Sequence, residues 1–264
     1  MFLVEVGKAL HRLRIWLLAA LAVAVAALPA VILATSPDAS RGPAFFDLIR
    51  RNGLLQPLTA IALVQPFFLP LAVGLLAGDA VAGDAAAGTL RYLLIRPVGR
   101  VHLVLAKYAS VVVLVAAGVM LVLAVGFAVG GLAFGLGPVP TLSGTVLEVG
   151  PAVVRILGAA AYVVASMAGI AAFGMFVSTL TDSGPGATVA TVAFVVVCQI
   201  LDALSGLRPL HPFLLTHDWL AWPDLFRAPV AWDAVGHGLV VDAAYVALFL
   251  AAALTVFTRK DLGS

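Results

Sequence analysis

Six long apolar stretches, separated by polar or Gly/Pro-rich segments, set the rhythm of the chain. A helix needs roughly 20 apolar residues to cross the hydrocarbon core of a bilayer. The pattern predicts spans near residues 15–36, 54–77, 103–128, 152–179, 186–204 and 237–257. The expected fold is therefore an all-α membrane protein, with six transmembrane helices in a single domain covering 1–264. Residues 1–14 predict a short amphipathic helix on the membrane surface, with Phe2, Leu3, Val6, Leu10 and Leu13 set against Glu5, Lys8 and Arg12. The first span is uncharged from Ile15 to Pro37. That exceeds the ~7–15 apolar residues of a cleaved signal peptide, so a retained anchor is expected. Pro57, Pro66 and Pro70 interrupt the second span, where freed backbone groups must find replacement partners.

The connecting segments differ in kind. Residues 37–53 predict a polar loop with a short helix around Phe45–Arg51, and 137–151 a Gly/Pro turn region. Residues 205–236 carry Trp219, Trp222 and Trp232 among Pro209, Pro212, Pro223 and Pro229. Indole rings favour the headgroup layer, which predicts interfacial or re-entrant helices before the last span. No segment predicts a soluble domain.

Composition agrees with this class. The chain is 63% hydrophobic and 11% charged, against about 25% charged residues in soluble domains, and its mean hydropathy is +1.14. Cys198 is the single cysteine and lies in an apolar run, which excludes a disulfide framework and a cysteine-based metal site. A net charge of +2 is too small to imply a nucleic-acid partner. The placement of charge says more. Lys8, Arg12, Arg14, Arg91, Arg96, Arg100, Lys107, Arg259 and Lys260, nine of fifteen basic residues, fall on one side of the predicted bilayer. The positive-inside rule makes that side cytoplasmic, together with both termini.

Four of those basic residues gather in the polar segment 79–100 and just beyond it, between the second and third spans. Gly83 and Gly88 permit turns around a short helix, Thr89 can cap a helix bearing Leu90, Leu93 and Leu94, and Pro97 ends it because Arg96 is pushed out of the α region. The order Asp84, Gly88-Thr89-Leu90, Arg96-Pro97-Val98-Gly99-Arg100 and Lys107 resembles the signature of ABC type-2 exporter permeases. The amphipathic start, the six spans and the long segment before the last also resemble that family. Where the family usually carries a charged Glu-Arg-Glu-like run, this chain has Asp84-Ala85-Ala86-Ala87.

The resemblance implies a permease working as a dimer, with a second copy or a related permease, in a bacterial cytoplasmic membrane among membrane lipids. Two copies of a separately encoded ABC ATPase would bind ATP and Mg; this chain would bind no cofactor. The segment 79–100 would be a coupling helix, with Asp84, Gly88, Thr89, Arg91, Arg96, Pro97 and Arg100 meeting the ATPase. Arg100, His102 and Lys107 are expected to anchor lipid headgroups. A path for a lipid, peptide or hydrophobic drug is expected along Gln65, Phe67, Phe68, Phe194 and Gln199, although both glutamines can equally bond neighbouring helices.

Other constellations are weaker. The small-residue patterns Gly126–Gly130 and Gly131–Gly135, and the stripe Ser166, Gly174 and Ser178, predict close helix approach. Arg155, Asp202 and Asp242 near the outer span ends predict a structural pair of Arg155 with one of the aspartates, because intramembrane charges are usually paired. A proton-coupled secondary transporter using Asp202, Asp242 or Glu148 is the alternative, and a non-transporting accessory protein a third reading. His211 and His217 lack a helical metal spacing, so no metal centre is expected. The chain has no Walker loop, no His-Glu-x-x-His and no Gly-x-Ser-x-Gly, and no catalytic residue is expected.

Overall fold

Residues 2–35, 52–88 and 99–259 are described by the computed structural model of the chain. They form a short helix α1 (Phe2–Leu10), α2 (Leu13–Thr35), α3 (Gln56–Val64), α4 (Phe68–Ala86), α5 (Arg100–Phe134), α6 (Val149–Leu180), α7 (Gly184–Ala203) and α8 (Asp233–Arg259). Among the described residues, α2, α4, α5, α6, α7 and α8 are long and apolar enough to cross a membrane, and the protein is an all-α, multi-pass membrane protein. A two-residue antiparallel ladder pairs Val139 with Leu147 and Pro140 with Val146 between α5 and α6.

The second predicted span is the one that changes shape. Instead of one helix over 54–77, α3 stops at Val64, Gln65–Phe67 form a turn, and α4 runs on to Ala86. Pro66 and Pro70 explain the break. Neither has an N–H, so the carbonyls four residues before them lose their helical donors. The Pro66 carbonyl, which Pro70 cannot serve, instead accepts a bond from Gln199 Nε2 at 3.0 Å. Gln65 is fully buried; its Nε2 donates to the Trp219 carbonyl at 2.7 Å and its Oε1 accepts from Trp222 Nε1 at 3.0 Å.

Helix α6 is the centre of the bundle. Some 61% of its spanning window is buried, against 22% for α2 and 11% for α8. It packs on α8, α4, α5 and α7, while α2 and α3 lie together against α5. Small residues set the closest approaches. A Cβ at Gly126 would meet the Pro57 backbone, and one at Gly174 would lie 2.8 Å from the Ala77 Cβ. The Ser178 hydroxyl donates to the Gly78 carbonyl at 2.7 Å and accepts from the amides of Val81 and Ala82, locking α6 to α4.

At one end of the bundle, Arg100 Nη1 donates to the Thr258 carbonyl at 2.9 Å, so the start of α5 and the end of α8 lie side by side. Helix α1 packs on α5 at the same end. The segment 205–232 occupies the opposite end, with 3-10 turns at Ser205–Phe213 and Trp222–Phe226. Of its tryptophans only Trp232 is exposed as an interfacial ring would be; Trp219 and Trp222 are buried. The Trp222 indole donates to Gln65 at the α3–α4 break, and the Trp219 carbonyl accepts from the same side chain.

A charged cluster at the terminal end as candidate functional site

Lys107 lies in the second turn of α5 and would be expected to reach water, yet it is only 1% exposed. Its Nζ donates to Asp84 Oδ2 at 2.5 Å and to Glu5 Oε2 at 2.9 Å. Glu5 and Lys8, three residues apart, share one face of α1. Lys8 Nζ is 3.5 Å from Glu5 and 3.8 Å from Asp84. Arg12, in the turn between α1 and α2, pairs with Asp79 of α4. Three basic and three acidic groups from α1, the following turn, α4 and α5 thus meet at one place. They border a cavity of about 70 Å³ also lined by Ile15, Leu18 and Leu76.

The local sequence makes this possible. Helix α4 continues through the acidic positions Asp79 and Asp84 because each carboxylate finds a cation. Asp79 fits because its neighbours lack side chains: a Cβ on Gly83 or on Gly184 would run into its carboxylate. Gly83 is therefore a clearance position inside α4 and not the turn its sequence context predicts. Gly88 does adopt the left-handed conformation, φ +66°, just past the helix end.

Of the residues predicted to meet an ATPase, Asp84 lies in the cluster, Gly88 at the end of α4, and Arg100 on the last carbonyls of α8. Thr89, Arg91, Arg96 and Pro97 lie outside the described residues, as does most of the predicted coupling helix. The headgroup role expected of Lys107 is corrected, because Lys107 is sealed between two carboxylates; Arg100 donates to a last carbonyl of α8. His102 alone of that trio is exposed. Asp79 belongs to no motif, although a carboxylate in an apolar helix is a signal for a partner.

The residues predicted to line a substrate path lie in three different surroundings. Gln199 serves the freed Pro66 carbonyl at the α3–α4 break, Gln65 in that break bonds Trp219 and Trp222, and Phe67 is exposed beside it. Phe68 lines an apolar groove of about 220 Å³ between α2, α4 and α5, with Trp16, Leu69 and Leu121. Phe194 stacks on Phe173 with ring centres 4.0 Å apart, in an aromatic group completed by Tyr245 and Phe249.

The expected pairing of Arg155 with an aspartate is also corrected. Arg155 Nη1 donates to the carbonyls of Leu225 and Arg227, each at 2.8 Å, because the turn ending at Phe226 presents unpaired carbonyls to it. Asp202 instead faces His217, and Asp242 lies buried beside Tyr162 and Asp218.

Comparison with known proteins adds one result. The model of a family described as "Protein of unknown function (DUF2705)" matches residues 25–263. No curated protein matches the chain.

Proposed function

For a chain that belongs to the DUF2705 family, a family whose description names no activity, we propose the role of membrane permease in an ATP-driven exporter. In this reading two such chains, or one with a related permease, work with two separately encoded ATPase subunits. The terminal end of the bundle faces the cytoplasm of a bacterial cell, and the cargo is a lipid, peptide or hydrophobic drug moved by alternating access. The chain itself performs no bond chemistry; ATP and Mg reside in the partner.

The observation that carries the reading is where the buried Glu5–Lys107–Asp84 network sits. Asp84 lies in the last turn of α4 and Lys107 in the second turn of α5, so the network fastens together the two helices that the predicted coupling segment 79–100 joins. Glu5 adds α1 to the same knot. A push on that segment would reach α1, α4 and α5 as one body, which is what a transport subunit without its own ATPase needs. The α3–α4 break, whose freed Pro66 carbonyl is served from α7 and whose Gln65 side chain bonds residues 219 and 222, provides a hinge of the type transport helices use.

Coexpression with the ATPase encoded beside it tests the proposal. Arg91→Glu with Arg96→Glu is expected to reduce copurification of the ATPase at least tenfold while leaving membrane insertion intact. In proteoliposomes, transport is expected with ATP and absent with a pH gradient alone. Undiminished copurification of the variant would make the segment a simple topological loop. The second reading, a proton-coupled transporter, is favoured by one feature: Asp242, only 4% exposed, lies inside α8. It requires transport driven by the gradient alone and abolished by Asp242→Asn.

A further inference from the structure

The opposite end of the bundle holds a second cluster that the transport reading leaves unused. Asp202 lies in the last turn of α7, and the 3-10 turn Ser205–Phe213 folds back over it. His217 Nδ1 is 2.6 Å from Asp202 Oδ1, and His211 Nδ1 is 3.8 Å from the same oxygen. One ligating atom from each of the three residues lies within 4.8 Å of the other two. Backbone bonds hold the histidines on consecutive turns: the Leu214 amide donates to the His211 carbonyl at 3.0 Å, and the His217 amide to the Leu214 carbonyl at 3.1 Å.

The hydrogen bonding around the rings prepares them as ligands. His211 Nε2 is 3.2 Å from the Leu204 carbonyl. A carbonyl only accepts, so Nε2 carries a proton, and in the neutral ring Nδ1 keeps its lone pair on the Asp202 side. A backbone carbonyl on the far nitrogen is the arrangement that fixes the orientation of metal-bound histidines.

We propose that Asp202, His211 and His217 form a binding site for a divalent transition-metal ion of the zinc class. Two imidazoles and one carboxylate are a donor set such ions favour, whereas calcium and magnesium prefer oxygen ligands alone. Around a tetrahedral ion with bonds of ~2.0–2.1 Å, neighbouring ligand atoms stand about 3.3 Å apart. His211 and Asp202 are already close to that separation. His217 has to withdraw by less than about 1 Å and turn a lone pair of Nδ1 to the ion, the proton of the neutral ring moving to Nε2. Three protein ligands leave a fourth position for water. The ion clasps the first turn of the 205–232 segment to the end of α7, and the proposal stands whether or not the chain is a permease.

Tag-free protein in lipid nanodiscs, stripped with a chelator, tests it by titration with Zn²⁺ and by the visible absorption of bound Co²⁺. One ion per chain is expected, with tetrahedral Co²⁺ bands and a higher unfolding temperature that the chelator reverses. Asp202→Asn should weaken binding at least tenfold, and His211→Ala with His217→Ala at least a hundredfold. His237→Ala, whose ring pairs with Asp218 at 2.6 Å, should bind as the unaltered chain does. Helix content and monodispersity establish that each variant is folded, and Asp202→Asn keeps the test open if the double variant is not. Absence of stoichiometric uptake, or equal uptake by the folded Asp202 or double-histidine variant, overturns the proposal.

Discussion

At Lys107 a full charge sits where solvent does not reach, matched by carboxylates from two other elements. Removing one member of a buried ion pair strands its partner and costs about 3–5 kcal/mol. Lys107→Met is therefore expected to lower the unfolding temperature in detergent strongly. Lys8→Met should do little, because Lys8 is well exposed and an exposed pair is worth ~0–1 kcal/mol. Asp84→Asn should fall between, since Glu5 remains on Lys107. Equal losses for the two lysine variants would remove the cluster from the stability of this end. The sequence shows Lys107 as a charge at a span end, and headgroups are the nearest partners for such a charge. Glu5, 102 residues away, becomes visible only once α1 is docked. Likewise, Arg155 reads as half of an ion pair until the turn at Leu225–Arg227 offers its carbonyls.

Among the elements, the apolar stretches transmit their length faithfully, and five of the six predicted spans survive as single helices near their expected positions. The second span departs because hydropathy is blind to hydrogen-bond donors: Pro66 and Pro70 keep the stretch apolar while removing two N–H groups. Gln199→Leu would orphan the Pro66 carbonyl and is expected to cost about 1 kcal/mol, read as a small drop in unfolding temperature. Helix contacts make a sharper contrast. A Cβ at Gly126 would lie 2.6 Å from the Pro57 Cα, whereas one at Gly118 in the same helix meets nothing within 4 Å. Gly126→Ala should destabilise by about 1–3 kcal/mol, and Gly118→Ala should be neutral or slightly stabilising. Similar melting of the two variants would refute close packing of α3 on α5. The small-residue pattern signals this closeness in sequence, but not which helix uses it.

For the whole molecule, the six-helix plan was legible, and with it the common end for both termini. The packing of α6 at the centre was not, because its apolar sequence resembles that of peripheral helices. Sidedness has a direct check. In a Cys198→Ala background and sealed vesicles, His11→Cys and Thr258→Cys should react with an impermeant thiol reagent from one face. Trp232→Cys and Leu142→Cys should react from the other. Labelling of all four from one side would contradict the bundle.

The cluster at the terminal end has one more consequence, and it is electrical. Glu5, Asp79 and Asp84 balance Lys8, Arg12 and Lys107, so these six side chains move as a neutral group. An elementary charge carried through a full 100 mV membrane potential involves about 2.3 kcal/mol; a balanced set carried together involves none. A shift of α1, α4 and α5 as one body therefore does no net work against the potential through these groups. Such a motion would run at the same cost in an energised cell and in a depolarised one.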